Sequence, residues 1–212
     1  MGNPAPSGLD DKIEKSALLI TGKAGNGKSH LLGDVAVKDL ERGLPTILIL
    51  GNQIISKTLP WNQIFNILGL TTTKDLFLKT LNEIGRHKGE RILFMVDALN
   101  EGIGKKQYWE NYLAGFMKDF EPYPFIGLVF SIRSTYYNLV IPDVLKKSKS
   151  LIEFEHEGFT GVELEAVKHF ATYFELNQPK IPLLSPEFSN PQFLLLLCRS
   201  LKATGEKEFP EG

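Results

Sequence analysis

Five residues early in the chain have the types and the spacing that phosphate binding requires. They are Gly22, Gly25, Gly27, Lys28 and Ser29, within the stretch LLITGKAGNGKSHLL. Glycine lets the backbone turn tightly and bring its N–H groups close to a ligand. A helix that begins after such a turn directs free N–H groups and a partial positive charge at an anion. Lys28 adds a full positive charge and Ser29 a hydroxyl suited to Mg²⁺, so the spacing matches the Walker A phosphate-binding loop.

The flanking sequence favours a working loop over a glycine-rich turn that binds nothing. Residues 17–21 form an apolar run typical of a buried strand, and residues 29–41 carry apolar side chains at helical spacing. Strand, loop and helix are the context that this motif needs. We therefore expect nucleotide contacts along the whole loop: Gly22, Lys23, Ala24, Gly25, Asn26, Gly27, Lys28, Ser29 and His30.

Two acidic residues further along the chain have positions suited to the rest of an active site. Asp97 follows the apolar run RILFMV, so it ends a buried strand at the sheet edge where open α/β folds bind ligands. There it can hold Mg²⁺ opposite Ser29. Glu101 lies four residues on and is suited to accept a proton from an attacking water or to polarise it. The structural alternatives are a helix cap or loop acid for Asp97 and a solvated carboxylate for Glu101.

An arginine ends the next strongly apolar strand. Arg133 follows LVFSI and is expected at the same edge of the sheet as Asp97. In that place it can contact the γ-phosphate and stabilise charge as it develops, or report whether that phosphate is present. The alternative is a solvated arginine at a strand end.

The order of apolar segments predicts a doubly wound α/β sheet. Strands are predicted at 17–21, 45–50, 91–96, 125–132 and 151–154. They are continuous apolar runs rather than alternating ones, which indicates a parallel sheet covered on both faces. Helical segments lie between them, the clearest at 106–120, and this alternation of strands and helices is typical of doubly wound folds.

After about residue 156 the strands give way to helices. Thr160 and Glu163 have capping-box spacing at the start of TGVELEAVKHFATYF. Asn190 and Pro191 suit the cap and first position of a last helix, whose apolar residues run all the way round, so we expect it to be well buried. We predict three parts: a flexible segment at 1–12, an α/β core at 13–156 and a helical subdomain at 157–212.

Composition limits the location and the partners of the 212-residue chain. Its net charge of −1 gives no global basic field for nucleic acid, and the short basic clusters at 85–91 and 145–150 lack interleaved aromatics. A single cysteine, Cys198, suits a reducing compartment, and the four histidines share no metal-ligand spacing, so no zinc is expected. Neither a signal peptide nor an apolar run of about 20 residues is present, so we expect a cytoplasmic protein without a membrane partner.

Together these segments resemble the STAND class of P-loop NTPases, the signal-transduction ATPases with numerous domains. They look most like the NACHT-related ATPases of bacterial and archaeal antiviral defence proteins. The resemblance covers residues 17 to about 200 and is carried by LLITGKAGNGKSHLL, PTILILGNQ, ILFMVDALNEG, LVFSIRSTYY and NPQFLLLLC. The Walker loop is common to all P-loop proteins, whereas DALNE and SIRS are more specific. The resemblance implies an α/β three-layer P-loop sandwich of the ASCE type, with a parallel sheet and a small helical lid.

The resemblance also implies cofactors and roles. The cofactors would be ATP or ADP with Mg²⁺. Lys28, Glu101 and Arg133 would be catalytic. Ser29 and Asp97 would hold the metal, and Pro191 would lie near the adenine. ATP binding, gated by a sensor domain in cis, would drive self-association and activate an attached effector.

Two features depart from the pattern of the STAND class. Asn100 stands where many relatives carry a second aspartate, which lowers the local charge. The winged-helix, sensor and effector domains are not part of this sequence, so we expect an excised or truncated ATPase core.

Three other functions are alternatives to the ATP-driven switch. A small-molecule kinase of this fold would surround the phosphate with several arginines, but only Arg133 of the five present is well placed. A mechanical or replication-type AAA ATPase would place its active-site residues at the same edge of the sheet. A nucleotide-binding interaction module that turns over slowly or not at all overlaps the switch hypothesis.

Overall fold

The structure is a computed structural model that describes residues 17–102, 107–179 and 185–210. The predicted flexible segment 1–12 lies outside the described residues, and so does the first residue of the predicted helix 106–120. The strands are β1 (Ala17–Thr21), β2 (Ile47–Leu50), β3 (Ile92–Asp97), β4 (Ile126–Ser131) and β5 (Leu151–Glu155). The helices are α1 (Lys28–Glu41), α2 (Pro60–Leu68), α3 (Lys74–Lys88), α4 (Gln107–Lys118), α5 (Tyr137–Val140), α6 (Asp143–Lys146), α7 (Glu163–Phe174) and α8 (Pro191–Thr204). None of the helices in these ranges has both the length and the apolar character needed to cross a bilayer.

All five strands pair in parallel, in the order β2-β3-β4-β1-β5. This confirms the predicted α/β fold with a parallel sheet. Ile20 pairs with Ser131, and Leu50 pairs with Asp97, so the carboxyl ends of these strands lie along one edge of the sheet. The loops that follow β1, β3, β4 and β5 therefore meet there.

The two faces of the sheet are covered unequally. Strand residues on one face form a core with helices α2 to α6, whereas those on the other face pack with α1. This double covering explains the continuous apolar runs of the central strands. Strand β5 departs from it because it lies at the sheet edge: Ile152 and Phe154 are more than half exposed.

An aromatic cluster fills the core between α2, α3, α4 and the sheet. Trp61 lies at its centre, with ring centroids 5.1 Å from Phe116 and 5.8 Å from Phe94. Its indole N–H donates to the Asp119 carboxylate at 2.8 Å, which also accepts from Lys74 Nζ at 2.6 Å. Trp61 therefore anchors α2 in the core.

Helices α7 and α8 form a separate hydrophobic core with Leu176, Phe188 and Phe209. Its fully buried side chains include Ala171, Leu194 and Cys198, and all of its members lie between residues 159 and 209. The division of the chain at residue 156 remains a prediction, although the separate core agrees with it.

Two local predictions about these helices are wrong. Thr160 does not cap α7; its hydroxyl donates to the carbonyl of Glu157, and the helix begins at Glu163. Asn190 does cap α8, accepting from the Phe193 amide at 3.0 Å. However, α8 is buried on one side only: Leu196 is 56% exposed, because no described element covers that side.

Burial along α8 predicts unequal effects of one substitution. Leu194→Ala removes a fully buried side chain and should lower the free energy of unfolding by about 2–5 kcal/mol. Leu196→Ala, the matched change two residues along, should cost no more than about 0.5 kcal/mol. Urea unfolding of both variants measures the difference, and equal costs would contradict the described packing.

Candidate nucleotide-binding site

Glycines in the loop after β1 allow it to adopt positive φ values. Gly27 caps α1 with a left-handed φ of +94°. Gly22 has a φ of +150°, and a Cβ there would lie 2.4 Å from the His156 carbonyl oxygen. Since that oxygen belongs to the backbone, a larger residue at position 22 would force the loop away from the end of β5.

The ammonium of Lys28 is held inside this loop. Lys28 is 8% exposed, and its Nζ donates to the carbonyls of Gly22 at 2.8 Å and Lys23 at 2.9 Å. Burial lowers the pKa of Lys28, the charge of Arg133 lowers it further, and the carboxylate of Asp97 acts in the opposite direction. The loop thus concentrates positive charge where α1 begins.

Asp97 is held rigidly at the end of β3. It is 4% exposed, and one of its carboxylate oxygens accepts a hydrogen bond from the Ser131 hydroxyl. The same hydroxyl accepts from the backbone N–H of Ala98 at 2.8 Å. Ala98 has a left-handed φ of 53°, uncommon for a residue other than glycine, so the chain turns sharply after Asp97. Sequence reasoning missed Ser131, although its position in SIRS beside the strand end was a signal.

Glu101 and Arg133 form an ion pair at the same edge of the sheet. Arg133 Nη2 lies 3.0 Å from Glu101 Oε1, and both side chains are more than one-third exposed. The backbone N–H of Arg133 donates to the side-chain oxygen of Asn100 at 2.9 Å, and Asn100 is 4% exposed. Asn100 therefore fixes the start of the Arg133 loop, a use of this residue that its type alone did not indicate.

His156 is a further cleft residue that sequence reasoning did not find. It follows β5, its carbonyl accepts from the Asn26 side chain at 2.8 Å, and its Nδ1 accepts from the Gly158 N–H at 3.2 Å. Burial lowers the pKa of the His156 imidazole, and the charge of Lys28 lowers it further. A neutral ring that accepts at Nδ1 carries its proton on Nε2.

Ten of the predicted site residues line one cleft of about 760 Å³. Its lining includes most of the predicted loop and both charged residues of the ion pair: Ala24, Gly25, Asn26, Gly27, Lys28, Ser29, His30, Glu101, Arg133 and Pro191. Three predicted residues do not line it within the described ranges. Asp97 lies beneath it behind Ser131, Gly22 contributes its carbonyl to Lys28, and Lys23 borders a second cleft.

The cleft has two chemically different ends. Glu101, Arg133 and Ser131 lie at the sheet edge and make that end polar. Phe159, Phe170, Pro191 and Leu195 come from the helical region and make the other end apolar. Such an arrangement can accept a molecule with one charged end and one flat, apolar end.

Comparison with solved structures shows the fold. AMPPCP-bound DnaA from Aquifex aeolicus matches with a TM-score of 0.60 and 16% identity, over 90% of this chain and 56% of that chain. Cdc6p from Pyrobaculum aerophilum matches with a TM-score of 0.50 and 15% identity, over 91% of this chain and 57% of that chain. The chain therefore spans little more than half the length of these proteins. These likenesses show that the chain shares the α/β fold of these two proteins.

Comparison of the sequence with known families and proteins does not identify a family for this chain. No family model matches the chain, and no curated protein matches it in sequence. The resemblance to STAND ATPases therefore remains a prediction from the motifs.

The lowered pKa of His156 predicts that stability rises with pH. In the folded chain this pKa lies below the unfolded value of about 6.5, so between the two values the unfolded chain binds more protons. The free energy of unfolding should then decrease as the pH falls from about 6.5 to the folded pKa. In His156→Gln, the difference in unfolding free energy between about pH 7.5 and about pH 5.5 should shrink.

Urea unfolding at both pH values measures this difference. An unchanged difference in His156→Gln would show that this imidazole does not titrate with folding.

Proposed function

We propose that this chain binds and hydrolyses ATP. The observation that carries the proposal is the convergence of the Lys28 loop, Ser131, Glu101 and Arg133 on one cleft. Loop N–H groups, the start of α1 and Lys28 suit the phosphates. The apolar end formed by the helical region suits the base, with Pro191 beside the adenine as the resemblance implies. The likeness of the fold to that of AMPPCP-bound DnaA supports this proposal.

The residues at the charged end also fit Mg²⁺. Ser29 offers a hydroxyl oxygen at the start of α1 and Asp97 a carboxylate at the end of β3, and oxygen ligands are those that Mg²⁺ prefers. Asp97 lies close enough to Lys28 to influence its pKa, so the two halves of the site share one electrostatic environment. The bound ion would neutralise phosphate charge, while Ser131 keeps the Asp97 carboxylate in place.

Glu101 is proposed to accept the proton of the attacking water, and Arg133 to stabilise charge on the phosphate. In the described structure these two side chains neutralise each other. Because Glu101 Oε1 accepts from Arg133, that oxygen is free to orient a water only after Arg133 turns to the phosphate. This pair would make hydrolysis conditional on the bound nucleotide, as a switch requires.

We further propose that the switch is of the STAND type and acts in the cytoplasm. The motifs DALNE and SIRS support it, and self-association with sensor and effector domains in cis, in antiviral defence, would follow from the resemblance. A replication-type AAA ATPase is the second candidate, and the likeness to DnaA and Cdc6p favours it. DNA binding by a DnaA belongs to that protein, and this chain's basic clusters give no independent reason to expect it.

Substitution of Lys28 tests the binding site. Wild-type protein with Mg²⁺ should bind ATP and ADP in preference to GTP, and Lys28→Ala should weaken that binding by about tenfold to a hundredfold because a charge-assisted contact is lost. Isothermal titration measures the affinities. Lys38→Ala, which removes an exposed lysine from the last turn of α1, is the matched control and should bind nearly as the wild type. Wild-type protein without affinity for any nucleotide would overturn the proposal.

Substitution of Glu101 separates hydrolysis from binding. Glu101→Gln should lower the ATPase rate by about 10²- to 10⁴-fold while ATP affinity stays within a few-fold of the wild type. Phosphate release under single-turnover conditions measures the rate. Glu83→Gln removes the carboxylate of a comparable pair with Arg86 on α3, away from the cleft, and should leave the rate unchanged. A normal rate in Glu101→Gln would exclude this residue as the base.

A further inference from the structure

The first turn of α8 is bound directly to the phosphate-binding loop. The Asn190 side-chain N–H donates to the Ala24 carbonyl at 2.9 Å, and the backbone N–H of Gln192 donates to the Gly25 carbonyl at 3.1 Å. The side-chain oxygen of Asn190 also caps α8 through Phe193. The side-chain oxygen of Asn190 therefore caps the helix, and its side-chain nitrogen bonds to the loop.

Gly25 permits this close approach. A Cβ on Gly25 would lie 2.7 Å from Asn190 Oδ1 and 2.8 Å from Gln192 Oε1, and its φ of +79° is left-handed. Position 25 is one of the four variable positions of the Walker A spacing, so phosphate binding alone does not require glycine there. The contact with α8 supplies a reason for it.

The two bonds orient part of the loop. A planar trans peptide points its carbonyl and the following N–H in opposite directions. The bonds to Ala24 and Gly25 therefore also set the directions of the N–H groups of Gly25 and Asn26, two residues of the predicted nucleotide contacts. In the described structure the Asn26 N–H donates to the Lys23 carbonyl at 3.4 Å. Asn190 does not need to touch the nucleotide to influence how the loop binds it.

We propose that Asn190 is a positioning residue that couples nucleotide binding in the loop to the placement of the α7–α8 core. This inference rests on the proposed nucleotide binding and deepens it. Asn190 joins the loop to a core whose buried members lie between residues 159 and 209. Because such coupling is reciprocal, a nucleotide that stabilises the loop also stabilises the docked helix by the same free energy.

Asn190→Ser tests the coupling without removing the helix cap. Serine caps a helix about as well as asparagine, but its hydroxyl is too short to reach Ala24 as well. Loss of this one hydrogen bond should weaken ADP and ATP binding by about threefold to tenfold. Asn82→Ser is the matched control, since Asn82 makes a comparable side-chain bond to the Phe125 backbone far from the cleft. It should leave nucleotide affinity unchanged.

Amide hydrogen exchange gives a second reading that does not depend on affinity. The Gln192 N–H should exchange faster in Asn190→Ser than in the wild type, with or without nucleotide, because the bond to Gly25 opens more often. ADP should slow this exchange in the wild type and slow it less in the variant.

The outcomes separate the coupling from the proposed function. Wild-type affinity in Asn190→Ser together with wild-type protection of Gln192 would overturn the coupling alone. Failure of the wild type to bind any nucleotide would overturn the proposed function and the coupling with it. Weaker binding in Asn190→Ser, with faster exchange at Gln192 and neither effect in Asn82→Ser, would support the coupling.

Discussion

The buried ammonium of Lys28 is the constraint on which the rest of the site depends. Placing a cation at 8% exposure is costly unless polar atoms surround it, and the carbonyls of Gly22 and Lys23 do so. The loop can turn its carbonyls inward because Gly22 and Gly27 adopt conformations that other residues avoid. The positive charge is thereby fixed at the start of α1, close enough to Asp97 at the end of β3 for that carboxylate to influence the pKa of Lys28.

The parallel sheet brings these groups together without any long loop. Strands β1, β3 and β4 end side by side, so the glycine loop, Asp97 and Arg133 reach one edge although they are separated by up to about 110 positions in the chain. The strands stay fixed because helices cover both faces of the sheet, with the Trp61 cluster beneath β3. Rigidity in the core is what allows distances of about 3 Å at the edge to be maintained.

The sequence predicted what local patterns encode. Continuous apolar runs predicted the five strands, and the glycine spacing predicted the tight turn between β1 and α1, because both signals lie within a few neighbouring residues. Asn100, Ser131 and His156 could not be placed in the same way, since their partners are distant in the chain. The capping box at Thr160 failed because several local bonds compete for one hydroxyl, and that hydroxyl donates to Glu157.

The site combines a fixed half with a half that is easily rearranged. The Asp97–Ser131 contact is buried and tied to the backbone of Ala98, so it resists change. The Glu101–Arg133 pair is more than one-third exposed on both sides, and exposed pairs contribute only about 0–1 kcal/mol. A phosphate competing for Arg133 has only that small energy to overcome. If the chain binds a triphosphate as proposed, the ligand could redirect Arg133 without disturbing the proposed metal ligands. The Glu101 carboxylate would then be released from its ion pair.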